Sequence, residues 1–189
     1  MFDFYMKDMP EMIYRVDSND KIVEHAPRDE VHRNGWWHRI SCVLPVNEDH
    51  YILIGRRHEE STFLPGEWCF IGEHVRAKES YVEAAVRCYQ EELGRTIQRG
   101  DAIPWMRGLK MTIQGVESDG THFMERQIQR FYGVAEPRKA NKIKFNKDEL
   151  SEVRFVAPPE ILGEYMHPEL FIPQSSSYAR KLKDTFKSI

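Results

Sequence analysis

Glu79, Arg87, Glu91 and Glu92 are the residues of this 189-residue chain whose types and spacing best suit chemistry. Adjacent carboxylates beside a loop that offers backbone oxygen form a hard-oxygen pocket, the donor set preferred by Mg²⁺ and Mn²⁺. Glu79 is spaced to pair with Arg87 and brace that loop. The element that must carry them is a helix. Ser80 and Glu83 form a capping box, in which hydroxyl and carboxylate satisfy orphan amides at the helix entry. Val82, Ala85, Val86, Tyr89 and Leu93 recur at helical spacing, a stripe for packing on a sheet, and Gly94 is the stop. Arg87, Cys88, Glu91 and Glu92 fall on the other side. A lone Glu-Glu pair is more often a solvated acidic face, so the spacing of the whole set has to decide.

Glu79, Arg87, Glu91, Glu92 and Gly94 fall at the fixed positions of a known pattern. Five such residues, each at roughly 7% background, coincide by chance about once in a million starting points. The segment resembles the Nudix box, G-x5-E-x7-R-E-U-x-E-E-x-G-U. It departs from it at three places. Glu73 stands where the box has its first glycine, although Gly72 survives as the preceding member of the usual pair. Cys88 replaces the glutamate after the arginine, a residue that often binds metal or acts as base in family members. Arg95 stands where an apolar residue is usual.

The resemblance implies an α/β/α sandwich with a mixed central sheet and a Mg²⁺- or Mn²⁺-dependent hydrolase of a nucleoside diphosphate linked to another group. In that reading the Gly72 carbonyl, Glu91 and Glu92 hold the metal, and Glu79 and Arg87 fix the loop. Glu125 is a further ligand or the base. Arg56 and Arg57, at the end of a strand, bind phosphate oxygens or stay solvated. Trp68 or Trp36 offers a stacking face for a base or sugar, with a core role expected for at least one of them. Loss of the carboxylate after Arg87 also resembles GDP-mannose mannosyl hydrolase, which attacks sugar carbon instead of phosphorus. A nucleotide sugar is therefore one substrate to consider. The rival class is a non-catalytic nucleotide-binding module, with Cys88 marking erosion of the site.

The stretch from Val16 through Asn47, with GRR and LPGEW after it, resembles the Nudix subgroup that includes isopentenyl-diphosphate isomerase. In that enzyme two histidines, a third before the box glutamate, and a downstream glutamate pair bind a divalent metal. His32, His38 and His74 occupy similar places here, and Glu125 fits the first downstream glutamate. Each histidine also has a plainer reading. His38 at a strand start can bond backbone, His32 lies on a short polar helix, and His74 can simply face substrate. The isomerase's acid–base pair does not carry over, because Gly72 and Gln127 stand where it has cysteine and glutamate. Isomerase activity is not expected.

Composition bounds the rest. At 41% hydrophobic and 30% charged residues the chain reads as one globular domain over 1–189, with 1–10 as a loose or docking arm. A net charge of −3 gives no general drive toward nucleic acid or anionic membrane. No apolar run approaches the ~18 residues of a membrane span, and the start lacks a signal-peptide layout. Cys42, Cys69 and Cys88, odd in number, suggest reduced thiols in a cytoplasmic protein. Expected elements are a hairpin turning at Asp17–Asp20, a short helix over Arg28–Arg33, and strands HRISCVLPV and HYILIGRR. Pro45 casts doubt on full pairing of the first. Two long strands joined at Glu117–Gly120 come next, then a strand over Glu152–Phe155, a short helix from Pro159 to Tyr165 and a terminal helix from Tyr178. The arm or the terminal helix offers a surface for a homodimer.

Overall fold

The computed structural model describes residues 10–61, 64–116, 122–161 and 180, side chains at 107, 115, 116 and 123 aside. The expected arm before Pro10, the turn at 117–120 and the helix from Tyr178 thus lie outside the described residues, Arg180 excepted. The expected hairpin is β1 (Met12–Val16) and β2 (Ile22–Pro27), paired antiparallel. Its turn closes on the Asp17 carboxylate, which accepts from the amides of Asn19 and Lys21. α1 spans Arg28–Arg33.

The centre of the sheet is β3 (Trp37–Val46), which runs parallel to β8 (His122–Ala135) over its whole length, from Trp37 opposite Arg126 to Val46 opposite Ala135. Its other edge takes β6 (Ile71–His74) antiparallel, with Ile40 opposite His74 and Val43 opposite Ile71. β1 joins that edge at His38 and β4 (Ile52–Arg57) at Val46. Pro45 falls between the end of the β6 partner and the β4 bridge, a place where its missing N–H costs no ladder bond on that edge. β7 (Ile103–Val116) forms a hairpin with β8, while β5 (Trp68–Cys69) and β9 (Leu150–Val156) flank β4. The sheet is mixed, as expected.

Side chains alternate between two cores. On one face α2 (Tyr81–Leu93) covers Val43, Leu53, Ile71, Ile128 and Tyr132. On the other, Ile40, Cys42, Leu44, Ile54, Met111 and Phe131 pack with Ile161, which follows the short α3 (Pro158–Glu160). The capping box of α2 is present, and Gly94 ends the helix with φ 61°. The buried stripe differs from the expected one. Tyr81, Ala84, Ala85, Cys88, Tyr89, Glu92 and Leu93 are buried, whereas Val82 and Val86 are only partly covered. The helix is thus rotated so that Cys88 and Glu92 point inward. No helix among the described residues is long and apolar enough to cross a membrane.

Gly35 sets α1 against β8. Its φ is +59°, and an added Cβ would stand 3.0 Å from the Met124 carbonyl oxygen. Arg126 holds the same turn by donating to the Gly35 carbonyl at 3.0 Å. Gly35→Ala is expected to destabilise the protein by about 1–2 kcal/mol, read as a lower urea midpoint at unchanged m-value.

Candidate functional site

Parity along three neighbouring strands builds the site. His38 of β3, His74 of β6 and Glu125 of β8 alternate onto the sheet face opposite α2, and the three strands lie side by side as β6-β3-β8. α1, turned back at Gly35, brings His32 over them. One ligand atom from each of these four residues lies within 4.8 Å of all the others. The three imidazole rings sit with centroids 5.0 to 5.2 Å apart.

Hydrogen bonding fixes what these rings can offer. His38 Nδ1 is 3.1 Å from the Trp36 carbonyl oxygen. A carbonyl only accepts, so Nδ1 carries the proton and the neutral ring keeps a lone pair on Nε2. That nitrogen is fully buried, 2.8 Å from Glu125 Oε1 but without hydrogen-bond alignment, and has no hydrogen-bond partner. A lone pair facing a carboxylate is repulsive unless a cation engages both groups. His32 Nδ1 is 3.1 Å from Glu125 Oε2, and its Nε2 is 2.9 Å from His74 Nε2. Burial, helped by His38, holds His74 far below the usual imidazole range, so it is neutral. Burial would raise the Glu125 carboxyl, but positive charge at the His32 and His38 positions, from ring protons or a bound cation, outweighs this and keeps it anionic. Three imidazoles and one carboxylate, with a buried nitrogen lacking a partner, fit a divalent cation.

The cluster forms one wall of a cavity of about 260 Å³. Ile40, Cys42, Phe70, Met111 and Ile113 supply its apolar lining, and Arg28, Arg57 and Trp68 also border it. Of the residues expected to bind substrate, Arg57, Trp68 and His74 therefore share the cavity. Arg56 does not. It is held in its own loop, donating to the Gly66 carbonyl at 2.8 Å and to Glu59 at 2.9 Å. Trp36 packs against Ile13, Ala26 and Val31 beneath the Arg15 guanidinium, which is 3.8 Å from its ring, a core position.

The box residues gather on the α2 side around one guanidinium. Arg87 Nε and Nη2 grip the two oxygens of Glu79 at 2.9 and 3.0 Å. Nη1 donates to Glu91 at 2.9 Å and to Glu73 at 3.4 Å, and Nη2 to the His74 carbonyl at 2.7 Å. Glu79 also accepts from the Arg76 amide, closing the loop. Glu92 is buried and receives only a long contact, 3.4 Å from Asn146. Burial pushes its carboxyl up to about 7, against the weaker pull of Asn146. Cys88 is a buried thiol, pushed well up by burial, and joins the core beneath α2.

Residues not singled out from the sequence also enter the site. Glu73, noted only as a departure from the pattern, reaches Arg87 and borders the cavity. Cys42 lies opposite Gly72, its sulfur 3.0 Å from where a Cβ on Gly72 would stand. Only strand register could have revealed either, and register is not written in local spacing.

A model of the NUDIX domain matches residues 36–179. An uncharacterized Nudix hydrolase of Pseudomonas aeruginosa is 27% identical over 156 residues, 82% of this chain and 83% of that protein. A Nudix hydrolase of Streptomyces coelicolor is 33% identical over 93 residues, 49% of this chain and 51% of its own length. A nucleoside triphosphatase of Salmonella agona is 28% identical over 122 residues, 65% of this chain and 83% of that protein. Among solved structures, a Deinococcus radiodurans protein shares the fold with a TM-score of 0.63 at 20% identity, covering 91% of this chain and 99% of its own. The MutT protein of Methanosarcina mazei does so at 0.58 and 22%, covering 80% and 94%.

The raised Glu92 carboxyl has a consequence for stability. Between about pH 4.5 and 7 the folded protein keeps the Glu92 proton that the unfolded chain has already released. The Glu92 contribution to stability therefore falls as pH rises through that window, by about 3 kcal/mol at most, while the depressed His74 contributes a slope of opposite sign. Glu92→Gln is expected to remove the Glu92 contribution in the metal-free protein. Urea midpoints at a series of pH values read it, and equal slopes in both proteins would refute the assignment.

Proposed function

Since this chain belongs to the Nudix family, we propose that it is a metal-dependent hydrolase of a nucleoside diphosphate linked to another group, a sugar or a further phosphate. The observation that carries the reading is the convergence of His32, His38, His74 and Glu125 on the wall of a cavity that Arg57 and Trp68 also border. In this reading those four residues hold one divalent ion. The Gly72 carbonyl, Glu91 and Glu92 hold Mg²⁺ or Mn²⁺ with the diphosphate. When bound, such ions neutralise pyrophosphate charge and lower the pKa of water.

The protein's own groups do the rest. Arg57 and Arg28 give bidentate donors for phosphate oxygens at the cavity wall. Trp68 offers an aromatic face to the base or sugar. The Glu79–Arg87 grip keeps the loop from Gly72 to Glu79 in place, so the Gly72 carbonyl stays fixed. Glu73 borders the cavity, and burial raises its carboxyl despite the opposing pull of Arg87. It is the group suited to take the proton of the attacking water while the bond to the leaving oxygen breaks. The likeness to the Salmonella agona nucleoside triphosphatase makes nucleoside triphosphates part of the substrate range to test. Cys88 in place of the box carboxylate favours a second reading, a non-catalytic module that binds nucleotide. Isopentenyl diphosphate isomerisation is not expected. Cys42 brings a thiol near the Gly72 position, but Gln127 remains a neutral amide.

A panel of nucleoside triphosphates and nucleoside diphosphate derivatives, with Mg²⁺ or Mn²⁺, separates these readings. Turnover of at least one compound is expected, lowered at least ~100-fold in Glu92→Gln and in Glu73→Gln. Release of free sugar with nucleoside diphosphate would place the attack at carbon, whereas sugar phosphate would place it at phosphorus. Binding without turnover in every protein would establish the module instead.

A further inference from the structure

β8 carries a buried line of amides that runs into Glu125. Alternation puts Glu125, Gln127 and Gln129 on the same face of the strand, and all three are buried, at 4%, 8% and 6% exposure. Gln129 donates from Nε2 to Gln127 Oε1 at 2.7 Å, and Gln127 donates from Nε2 to Glu125 Oε1 at 2.9 Å. Gln129 Nε2 also lies 3.5 Å from Met111 Sδ. Burying primary amides costs free energy unless their polar atoms are matched, so side chains of this shape needed only for packing would be apolar. The line ends on one carboxylate oxygen, the same one that lies 2.8 Å from the unpartnered His38 Nε2. The other oxygen faces His32.

We propose that Gln127 is the positioning residue of the His32, His38, His74 and Glu125 cation site. By occupying Glu125 Oε1 it restricts that carboxylate to a single ligand oxygen and leaves a coordination position open toward the cavity. The inference rests on the cluster being a cation site, as read above. A carboxylate chelates through both oxygens only when both can turn to the same ion. Here one oxygen is tethered along the strand by an N–H donor, which takes one of its lone-pair directions. Gln127 is not itself a ligand, because its Nε2 serves Glu125 and its Oε1 serves Gln129. Gln129 in turn fixes which way the Gln127 amide faces, so the carboxylate is set from two residues away. An open position is what distinguishes a site that meets water or substrate from one that only staples a fold.

Mn²⁺ alone is the probe, titrated into the full chain and followed by water-proton relaxation, which counts exchanging waters on the bound ion. The signal lost in His38→Ala assigns the ions held by this cluster. Gln127→Met, similar in volume but without the donor, frees Glu125 to chelate. It is expected to lower the count by about one water per ion. Gln129→Met cuts the same line one step further back, and a smaller fall is expected there. It keeps the test alive if near-ultraviolet circular dichroism shows Gln127→Met misfolded. An amide needed only for packing would shift the melting temperature and leave the water count alone. An unchanged count in the folded variants overturns the proposal and leaves the site standing. Wild-type protein that binds no Mn²⁺, or binds it equally after His38→Ala, overturns the site and the proposal together.

Discussion

A single guanidinium ties the chemistry of this protein to its sheet. Arg87 reaches Glu79, Glu91 and Glu73 with its side chain, and it also takes the backbone carbonyl of His74. That carbonyl belongs to the residue whose imidazole stands in the cluster on the opposite face. The box helix therefore fixes the register of β6 from one side while the histidines converge from the other. A lysine could not reproduce this, since its point charge lacks the planar fork that engages both oxygens of Glu79 and the carbonyl at once. The loop between β6 and α2 is short and polar, and this grip acts together with the backbone bonds from Val75 to Arg39 and from Ala77 to Met12 to hold one shape.

The two faces of the sheet solve the cost of buried polar groups differently. Near α2, Glu92 is buried with little compensation, and its carboxyl responds by holding its proton. In the cavity, Glu125 is buried as deeply yet stays charged, because imidazoles and the Gln127 amide surround it. The difference is one of neighbours and not of depth. Elsewhere Glu136 shows a third solution, a buried carboxylate clasped by Arg138 and the Tyr89 hydroxyl.

How much of this was legible in the sequence follows from which interactions are local. Ser80, Glu83 and Gly94 punctuate α2 through contacts a few residues apart, so both ends of the helix could be read directly. Glu79 and Arg87 are likewise within one loop and one helix. The rotation of α2 was misjudged because Val82 and Val86 are apolar, whereas the sheet covers Ala84, Cys88 and Glu92 instead. The fate of Arg56 and Arg57 depended on which of two adjacent side chains faced the cavity, a matter of parity that no spacing rule decides. Glu73 read as a lost glycine, and its reach to Arg87 exists only because β6 lies beside β3. Cys42 opposite Gly72 is a fact of strand pairing alone.

The parallel contact between β3 and β8 also governs when the molecule can become itself. Residues 37–46 wait for residues 126–135, so most of the chain must leave the ribosome before the central strand gains that neighbour. Closing so long a loop is entropically dear, and sheets assembled from distant segments form slowly. Until then His38 and Glu125 are strangers, and the buried line of glutamines is solvated. The pairing of β3 with β8 and the birth of the cavity wall are thus one event.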